Sequence, residues 1–313
     1  MRAKAAAAAL CMGLCQVGAA PPSDAIAGHV VKATKAAGSE YAVLVKALCP
    51  GPIVKSAPID SADRDSWHAE PVRAFDDLFY VGQKTVSAWA LRTSAGIIVI
   101  DALFDYSVED EIWDGLRKAG LDPSEIRYVI VTHGHSDHLG GAAFLQRKGA
   151  TIVLAEADWP IAEKMEGPRP TRDARFLAVS GRRQLTLGNT TVDLVPTPGH
   201  TPGTLSVIFP VHDGKARHMA SIWGGTGFNT RTPEQFSSYA RSARDFARVA
   251  QRARVDVPLS NHPVVDDTFR KADALAGRKS GDSNPFVTGQ RSQQALLTTA
   301  AECADASLIA GGG

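Results

Sequence analysis

The sequence has no excess of charge of either sign, and this absence limits the functions open to it. Its 313 residues include 34 Lys and Arg against 33 Asp and Glu, so the formal net charge at pH 7 is +1. A near-neutral chain has no broad field to hold a polyanion, and nucleic-acid binding through a basic surface is not expected. Hydrophobic residues make up 44% and charged residues 21%. These values exclude a largely disordered chain and a polytopic membrane protein, and they indicate a globular protein.

Long apolar runs are also missing, apart from a short one at the N-terminus. Residues 5–19 are apolar, follow Arg2 and Lys4, and end in small residues before Pro21. The run is too short to span about 30 Å of hydrocarbon comfortably, and its basic start and small-residue exit are typical of a secretory signal peptide. We expect residues 1–20 to be removed, leaving a periplasmic or secreted protein without stable membrane association. An ordinary alanine-rich helix is the alternative.

Cysteine is scarce, with four in the whole chain. Cys11 and Cys15 would leave with the signal peptide, and Cys49 and Cys303 would remain near opposite ends of the mature chain. Oxidising conditions outside the cytoplasm favour a disulfide between them. Closing so long a loop would stabilise the fold by about 4–5 kcal/mol in the chain-entropy model. Two isolated buried thiols are the alternative.

The remaining chain divides into a helical N-terminal segment with a linker, residues 21–66, and a compact domain, residues 67–313. In the domain, short hydrophobic strands alternate with amphipathic helices, and the alternation occurs in two similar halves. It predicts two mixed β-sheets packed together with external helices, a four-layer αβ/βα sandwich, although the pattern also allows a three-layer α/β fold. The predicted helices cover residues 107–119, 139–148, 233–253, 264–278 and 290–309.

Potential metal ligands are concentrated in one short segment, Thr132-His133-Gly134-His135-Ser136-Asp137-His138, directly after the hydrophobic strand RYVIV. Alternating residues of an extended turn can aim His133 and His135 at one point, with Asp137 and His138 at a neighbouring point. Imidazole and carboxylate groups together suit zinc. Burying four such groups without a cation would leave several polar atoms unsatisfied. The segment therefore predicts a metal site.

Two more histidines also follow predicted strands. His200 lies in Thr197-Pro198-Gly199-His200-Thr201-Pro202-Gly203, and His262 lies in Ser260-Asn261-His262-Pro263. A lone loop histidine is usually a surface or capping residue. Beside the first segment, however, both are predicted to be further ligands.

The motifs HGHSDH, TPGHTPG and SNHP, in this order, resemble those of the metallo-β-lactamase superfamily, which includes class B β-lactamases, glyoxalase II and related hydrolases. The similarity runs from about residue 67 to the C-terminus. It implies the αβ/βα sandwich with two zinc ions per chain at the sheet edges. By position it assigns His133, His135 and His200 to the first zinc, and Asp137, His138 and His262 to the second. Asp101, at the end of the strand GIIVID, matches an acidic position that supports the ligand loop by hydrogen bonds. A turn or N-cap aspartate is the alternative for Asp101.

The segment Trp223-Gly224-Gly225-Thr226 distinguishes the branches of the superfamily. Glyoxalase II-like enzymes place a bridging aspartate here, and first-subclass β-lactamases use a cysteine. Without either, His138 must complete the second site, which looks like the third subclass of class B β-lactamases. That resemblance implies an exported enzyme of antibiotic resistance. It would open the β-lactam amide bond by attack of metal-bound hydroxide, with Asp137 orienting the hydroxide.

The residues expected to bind the substrate depart from that subclass. Its members commonly carry serines after the strand near residue 220 to hold the substrate carboxylate, and here only Ser221 and Thr226 are candidates. This difference leaves open a related metallo-hydrolase that acts on a lactone, thioester or phosphoester. A third hypothesis is a non-catalytic zinc-binding periplasmic protein. In both enzyme hypotheses the partner is a small-molecule substrate.

Overall fold

The computed structural model describes residues 23–51 and 60–311. The expected signal peptide, residues 1–20, and most of the proline-rich linker lie outside the described residues. Among the described residues, no helix combines the length and the apolar character needed to cross a bilayer.

One β-sheet comes from the first half of the chain. Its seven strands lie in sequence order, antiparallel from the first to the fourth and parallel from the fourth to the seventh. They are β1 (Val72–Arg73), β2 (Leu78–Tyr80), β3 (Trp89–Thr93), β4 (Gly96–Ile100), β5 (Ile126–Ile130), β6 (Thr151–Ala155) and β7 (Phe176–Val179).

The second sheet comes from the second half and has five strands, in the spatial order β12-β11-β10-β9-β8. Its neighbours are antiparallel except for β11 and β12, which are parallel. The strands are β8 (Arg183–Leu187), β9 (Thr190–Pro196), β10 (Leu205–Asp213), β11 (Ala216–Trp223) and β12 (Val257–Ser260).

Eleven α-helices of the described residues surround these sheets. In chain order they are α1 (Ser23–Ala37), α2 (Ala42–Leu48), α3 (Arg64–Trp67), α4 (Asp114–Lys118), α5 (Ser136–Leu139), α6 (Ala142–Arg147), α7 (Trp159–Glu163), α8 (Pro233–Ala253), α9 (Pro263–Asp266), α10 (Thr268–Ala276) and α11 (Gln290–Ile309).

The core has three parts, as a four-layer arrangement requires. Strand β4 shows why: Ile98 and Ile100 point into a cluster shared with the second sheet, whereas Ile97 and Val99 point into a cluster under the helices. Both faces of this strand are buried, so its sequence is continuously hydrophobic. A third cluster lies between the second sheet and the helices α1, α2, α8 and α11. The predicted αβ/βα sandwich is therefore confirmed, and the three-layer alternative is wrong.

The N-terminal helices α1 and α2 pack against α11 at the other end of the chain. Cys49, directly after α2, and Cys303 of α11 form a disulfide with an S–S distance of 2.10 Å. The predicted pairing is thus present, and the alternative of two separate thiols is wrong.

Three predicted helices are interrupted. The segment 107–119 begins with a π-helical turn, Glu109–Trp113, before α4. The segment 264–278 breaks at Asp267, whose φ of 57° is left-handed and ends α9. The segment 139–148 breaks between α5 and α6, where a Cβ on Gly141 would lie 2.3 Å from the carbonyl oxygen of Ala102. Such breaks depend on contacts with distant backbone, which hydrophobic spacing alone does not report.

Candidate metal centre

The predicted ligand segments leave both sheets at carboxyl ends of strands. The HGHSDH segment follows β5, the TPGHTPG loop follows β9 and the SNHP segment follows β12. Ligand sites of α/β sheets characteristically lie outside the carboxyl ends of the strands. The structure brings the six predicted ligands together there. His133, His135 and His200 form the three-histidine cluster, whose ligand atoms lie within 4.8 Å of one another. Asp137 and His138 lie equally close to each other and to His133, and with His262, whose Nε2 is 3.9 Å from Asp137 Oδ2, they form the aspartate cluster.

In the three-histidine cluster the ring nitrogens converge. His200 Nε2 lies 3.1 Å from His133 Nε2 and 3.1 Å from His135 Nδ1. The other nitrogen of two of these rings is fixed by a carbonyl oxygen: His133 Nδ1 donates to Gly224 at 2.9 Å and His200 Nδ1 donates to Gly227 at 2.8 Å. A carbonyl only accepts, so the proton of each neutral ring is on Nδ1 and the Nε2 lone pairs face each other. Lone pairs facing each other at this distance are what a bound metal ion requires, and the donor set fits one.

The aspartate cluster contains an unsatisfied buried nitrogen. His138 is fully buried, and its Nδ1 donates to Asp101 Oδ2 at 2.9 Å. Its Nε2 has no hydrogen-bond partner among the described residues, although Asp137 Oδ2 lies 3.1 Å away. His262 Nδ1 donates to the carbonyl oxygen of Thr85 at 2.9 Å, and its Nε2 lies 3.9 Å from the same Asp137 oxygen. A buried imidazole nitrogen directed at a carboxylate and a second imidazole also fits a cation.

The pKa values of His133 and His200 in the three-histidine cluster are shifted in the opposite direction to that of His138 in the aspartate cluster. Burial lowers the pKa of His133 well below its usual range and lowers that of His200 to about 3. Both rings are therefore neutral at physiological pH, which is the form that binds metals. At His138 burial also opposes the charge, but the carboxylates of Asp137 and Asp101 outweigh it and raise the pKa to about 10. Two carboxylates thus lie against His138, whereas no carboxylate of the described residues is hydrogen-bonded to a ring of the three-histidine cluster.

Asp101 lies directly after β4 and is fully buried, with a left-handed φ of 66°. Its carboxylate accepts hydrogen bonds from the backbone nitrogen of Thr132 at 2.7 Å, from the Thr132 hydroxyl at 2.9 Å, and from His138 Nδ1. It therefore contacts both the start of the ligand segment and one ligand. These contacts hold Nδ1 of His138 as a donor to Asp101 and direct its Nε2 toward Asp137, the position from which it could coordinate a cation that displaces the Nε2 proton.

The structure does not bring Ser221 to this site. The side chains of Met219, Ser221 and Trp223 in β11 alternate with Ala220 and Ile222, which face the other sheet. Ser221 is consequently buried under the helices, and its hydroxyl donates to Gln293 Oε1 of α11 at 2.9 Å. Its assignment as a substrate contact is corrected on this ground.

Thr226 does lie beside the site. The residue is partly exposed and stands between Gly225 and Gly227. A Cβ on Gly225 would lie 2.3 Å from His200 Cβ, and the Gly227 carbonyl accepts the hydrogen bond from His200 Nδ1. The loop is therefore pressed against His200, and Thr226 remains a candidate substrate contact.

Two polar residues at the same sheet edge were not among the predicted site residues. Asn261, directly after β12, is buried and donates from Nδ2 to the Gly224 carbonyl at 2.9 Å. Asp158, after β6, is buried between two ligand loops. The signal that could have found both is their position at a strand exit, which also identified the histidines.

A cleft of about 590 Å³ opens beside His135, large enough for a small molecule. Phe104, Pro160, Ile161 and Met165 supply apolar wall, and Asp105 and Lys164 supply charge. The arrangement suits a substrate with an apolar group placed next to the three-histidine cluster.

Comparison with known proteins agrees with this geometry. The family model of the metallo-β-lactamase superfamily matches residues 81–214. The chain is 30% identical over 145 residues to a hydroxyacylglutathione hydrolase of Anaeromyxobacter dehalogenans (strain 2CP-C), covering 45% of this chain and 48% of that protein. It is 31% identical over 104 residues to an N-acyl homoserine lactonase of a Bacillus species, covering 32% of this chain and 39% of that protein. The chain thus matches about half or less of the length of these curated relatives.

Among solved structures, the chain is similar to BJP-1, a subclass B3 metallo-β-lactamase of Bradyrhizobium japonicum. The TM-score is 0.62 and the identity 28%, over 75% of this chain and 91% of that one. Residues 81–214 thus match the metallo-β-lactamase superfamily, and the two-sheet sandwich with the ligand loops at one sheet edge agrees with that resemblance.

Proposed function

We propose that this protein is a dinuclear zinc hydrolase that opens the β-lactam amide bond. The composition of the aspartate cluster is the main support. A bridging aspartate or cysteine has no room at the first two positions after β11, since a Cβ on Gly224 would lie 1.9 Å from the Leu205 carbonyl oxygen and one on Gly225 would lie 2.3 Å from His200 Cβ. The loop therefore offers no such ligand there, and the buried Nε2 of His138, 3.1 Å from Asp137 Oδ2, is the group available to the second site. The likeness to a structure described as a subclass B3 metallo-β-lactamase supports the same reading.

In this proposal His133, His135 and His200 hold one zinc, and Asp137, His138 and His262 hold the other. Zinc bound at such sites lowers the pKa of a coordinated water to near 7 and polarises a carbonyl group. The surrounding histidines hold the pKa of Asp137 well below its usual range in spite of burial, so its carboxylate is ionised at neutral pH. It can accept a hydrogen bond from the attacking water and orient it. Asp101 fixes the His138 ring, and the carbonyls of Gly224 and Gly227 fix the other tautomers.

The test is hydrolysis of a penicillin, a cephalosporin and a carbapenem by the purified zinc-loaded protein, with and without a chelator. We expect turnover that the chelator abolishes, and loss of turnover together with one of the two zinc ions in His133→Ala. His212→Ala is the matched control, because His212 pairs with Asp77 outside the ligand loops. Rates no faster than buffer on all three drugs would contradict the proposal.

A second candidate is hydrolysis of a lactone, thioester or phosphoester by the same metal pair. The orientation of Ser221 favours it, because the serine expected to hold a β-lactam carboxylate is bonded to Gln293 instead. Two relatives carry the names of a thioester and a lactone hydrolase. Turnover of an acyl homoserine lactone or an acylglutathione, with none on the three drugs, would select this candidate.

Export to the periplasm or beyond is also part of the proposal. The Cys49–Cys303 disulfide supports it, since disulfides persist mainly in oxidising compartments. Expression of the full chain should yield a periplasmic protein whose mass lacks about the first 20 residues. An unprocessed protein retained in the cytoplasm would contradict it.

A further inference from the structure

Asp158 lies between the two loops that supply the three-histidine cluster. It ends the short 3₁₀ turn Glu156–Asp158 after β6 and is fully buried. Its Oδ2 accepts hydrogen bonds from the Gly134 backbone nitrogen at 2.8 Å and from the Thr201 hydroxyl at 2.7 Å, and its Oδ1 accepts one from the Gly203 backbone nitrogen at 2.6 Å. One carboxylate therefore joins two ligand loops.

The loops that it joins come from different sheets. Gly134 stands between His133 and His135 after β5 of the first sheet, and Thr201 follows His200 after β9 of the second. The contact consequently sets the spacing of the first two histidines relative to the third. A site made by two separate loops needs such a support, because neither loop by itself fixes the position of the other.

The loops approach Asp158 so closely that a side chain would clash at Gly203 and would be tightly packed at Gly134. A Cβ on Gly203 would lie 2.7 Å from Asp158 Oδ1, and a Cβ on Gly134 would lie 3.1 Å from the Asp158 carbonyl oxygen. Bare backbone at these positions lets both amide groups point into the carboxylate. The glycines of the HGH and TPG sequences therefore have a structural reason that involves Asp158.

The charge of Asp158 is partnered only by neutral donors, two backbone amides and a hydroxyl, among the described residues. Burying a carboxylate without a cation is costly, and hydrogen bonds offset only part of that cost. The neighbouring cluster consists of neutral imidazoles, which bring no negative charge to a dication. The carboxylate of Asp158, which accepts hydrogen bonds from the backbone of both loops, supplies that negative charge.

We infer that Asp158 is a positioning residue for the three-histidine cluster, which holds the spacing of its two loops and increases its affinity for a divalent cation. The inference rests on the metal site of the proposed function and not on its substrate. A protein that binds zinc but hydrolyses no β-lactam would leave it intact.

The test compares Asp158→Asn with Asp256→Asn in the full-length protein. Asparagine keeps the shape of the side chain but removes the charge and replaces one acceptor oxygen with a donor. Asp256 is a matched control, since it also accepts from a backbone amide, that of Met219, and from a histidine, His218, away from the ligand loops. Zn²⁺ affinity is measured by competition with a chromophoric chelator, and the geometry of the cluster by the visible spectrum of the Co²⁺ form.

We expect Asp158→Asn to weaken binding of one Zn²⁺ by 10–100-fold, a typical effect of losing a support of a metal ligand, and to change the Co²⁺ spectrum. Asp256→Asn should do neither. Affinity within twofold of the parent, with an unchanged spectrum, would overturn the inference.

If Asp158→Asn does not fold, Thr201 provides a milder pair of variants. Thr201→Val removes the hydroxyl that donates to Asp158, whereas Thr201→Ser keeps it. Zn²⁺ affinity should fall several-fold in the valine variant and recover in the serine variant. Equal affinities in the two variants would contradict the role assigned to Asp158.

Discussion

The three-histidine cluster and the aspartate cluster are neighbours, but the fold holds them in different ways. In the first, backbone carbonyls of Gly224 and Gly227 fix the rings of His133 and His200, and the rings are neutral. In the second, the carboxylate of Asp101 fixes His138, and Asp137 lies against the same ring. Carboxylates thus lie directly against the His138 ring in the aspartate cluster. In the three-histidine cluster the supporting carboxylate, that of Asp158, contacts the loops that carry the histidines and not the rings. This difference indicates that the metal affinity of two adjacent candidate sites can be set separately, by the groups that hydrogen-bond to the ligands of each.

The largest expected effect on turnover comes from removing a single histidine, in one variant from the three-histidine cluster and in another from the aspartate cluster. His200→Ala and His262→Ala should each retain one zinc ion per chain after dialysis, if the clusters are separate sites. Turnover should fall on the order of 10³-fold in both, because each ion has its own part in the proposed chemistry. Elemental analysis and steady-state rates measure these outcomes. Loss of both ions from either variant would show that the clusters bind as one unit.

Asp101→Asn should have the next largest effect, confined to the aspartate cluster. The amide removes a negative charge from His138 and presents a donor to one of the groups that donate to Asp101. We expect 10–100-fold weaker binding of one zinc ion, with the other little changed. Isothermal titration with Zn²⁺ distinguishes the two sites. Equal weakening of both would remove the contrast between the clusters.

Gly225→Ala should disturb the three-histidine cluster through packing. Its Cβ would lie 2.3 Å from His200 Cβ, so either the loop or the ring must shift. We expect a loss of stability of about 1–3 kcal/mol and weaker metal binding. Gly28→Ala in α1 is the control, because nothing lies within 4 Å of that added Cβ. Thermal unfolding with and without zinc measures both, and an unchanged zinc-induced rise in Tm would contradict the expected effect on the cluster.

The smallest effect on the site is expected for Ser221→Ala. It leaves Gln293 Oε1 without its hydrogen bond and should cost about 1–2 kcal/mol of stability. Zinc content, kcat and KM should remain those of the parent. A raised KM for a β-lactam would return Ser221 to the substrate site.

The convergence of the predicted ligands could be foreseen because each predicted ligand segment follows a strand, and strand exits are visible in the hydrophobic pattern. The direction of Ser221 was not, because Met219 and Trp223 on its face of β11 are as apolar as Ala220 and Ile222 on the other. The side that meets α11 depends on sheet packing, not on local alternation. Asp158 was missed for a related reason. Its position after β6 marks it as a candidate, but its role depends on contacts with two loops that are distant in sequence, which no local pattern reports.

The disulfide between Cys49 and Cys303 joins positions 254 residues apart in sequence, and the segment between them contains both sheets and all six predicted metal ligands. The two sheets are joined by an exposed link at residues 180–182. A protease that cuts this link would divide the protein into a piece with β1–β7 and a piece with β8–β12, still tethered through sulfur. Tethered pieces meet at high effective concentration, so the nicked molecule can keep its sheets together as a two-chain protein. It would migrate as one species without reductant and as two with it.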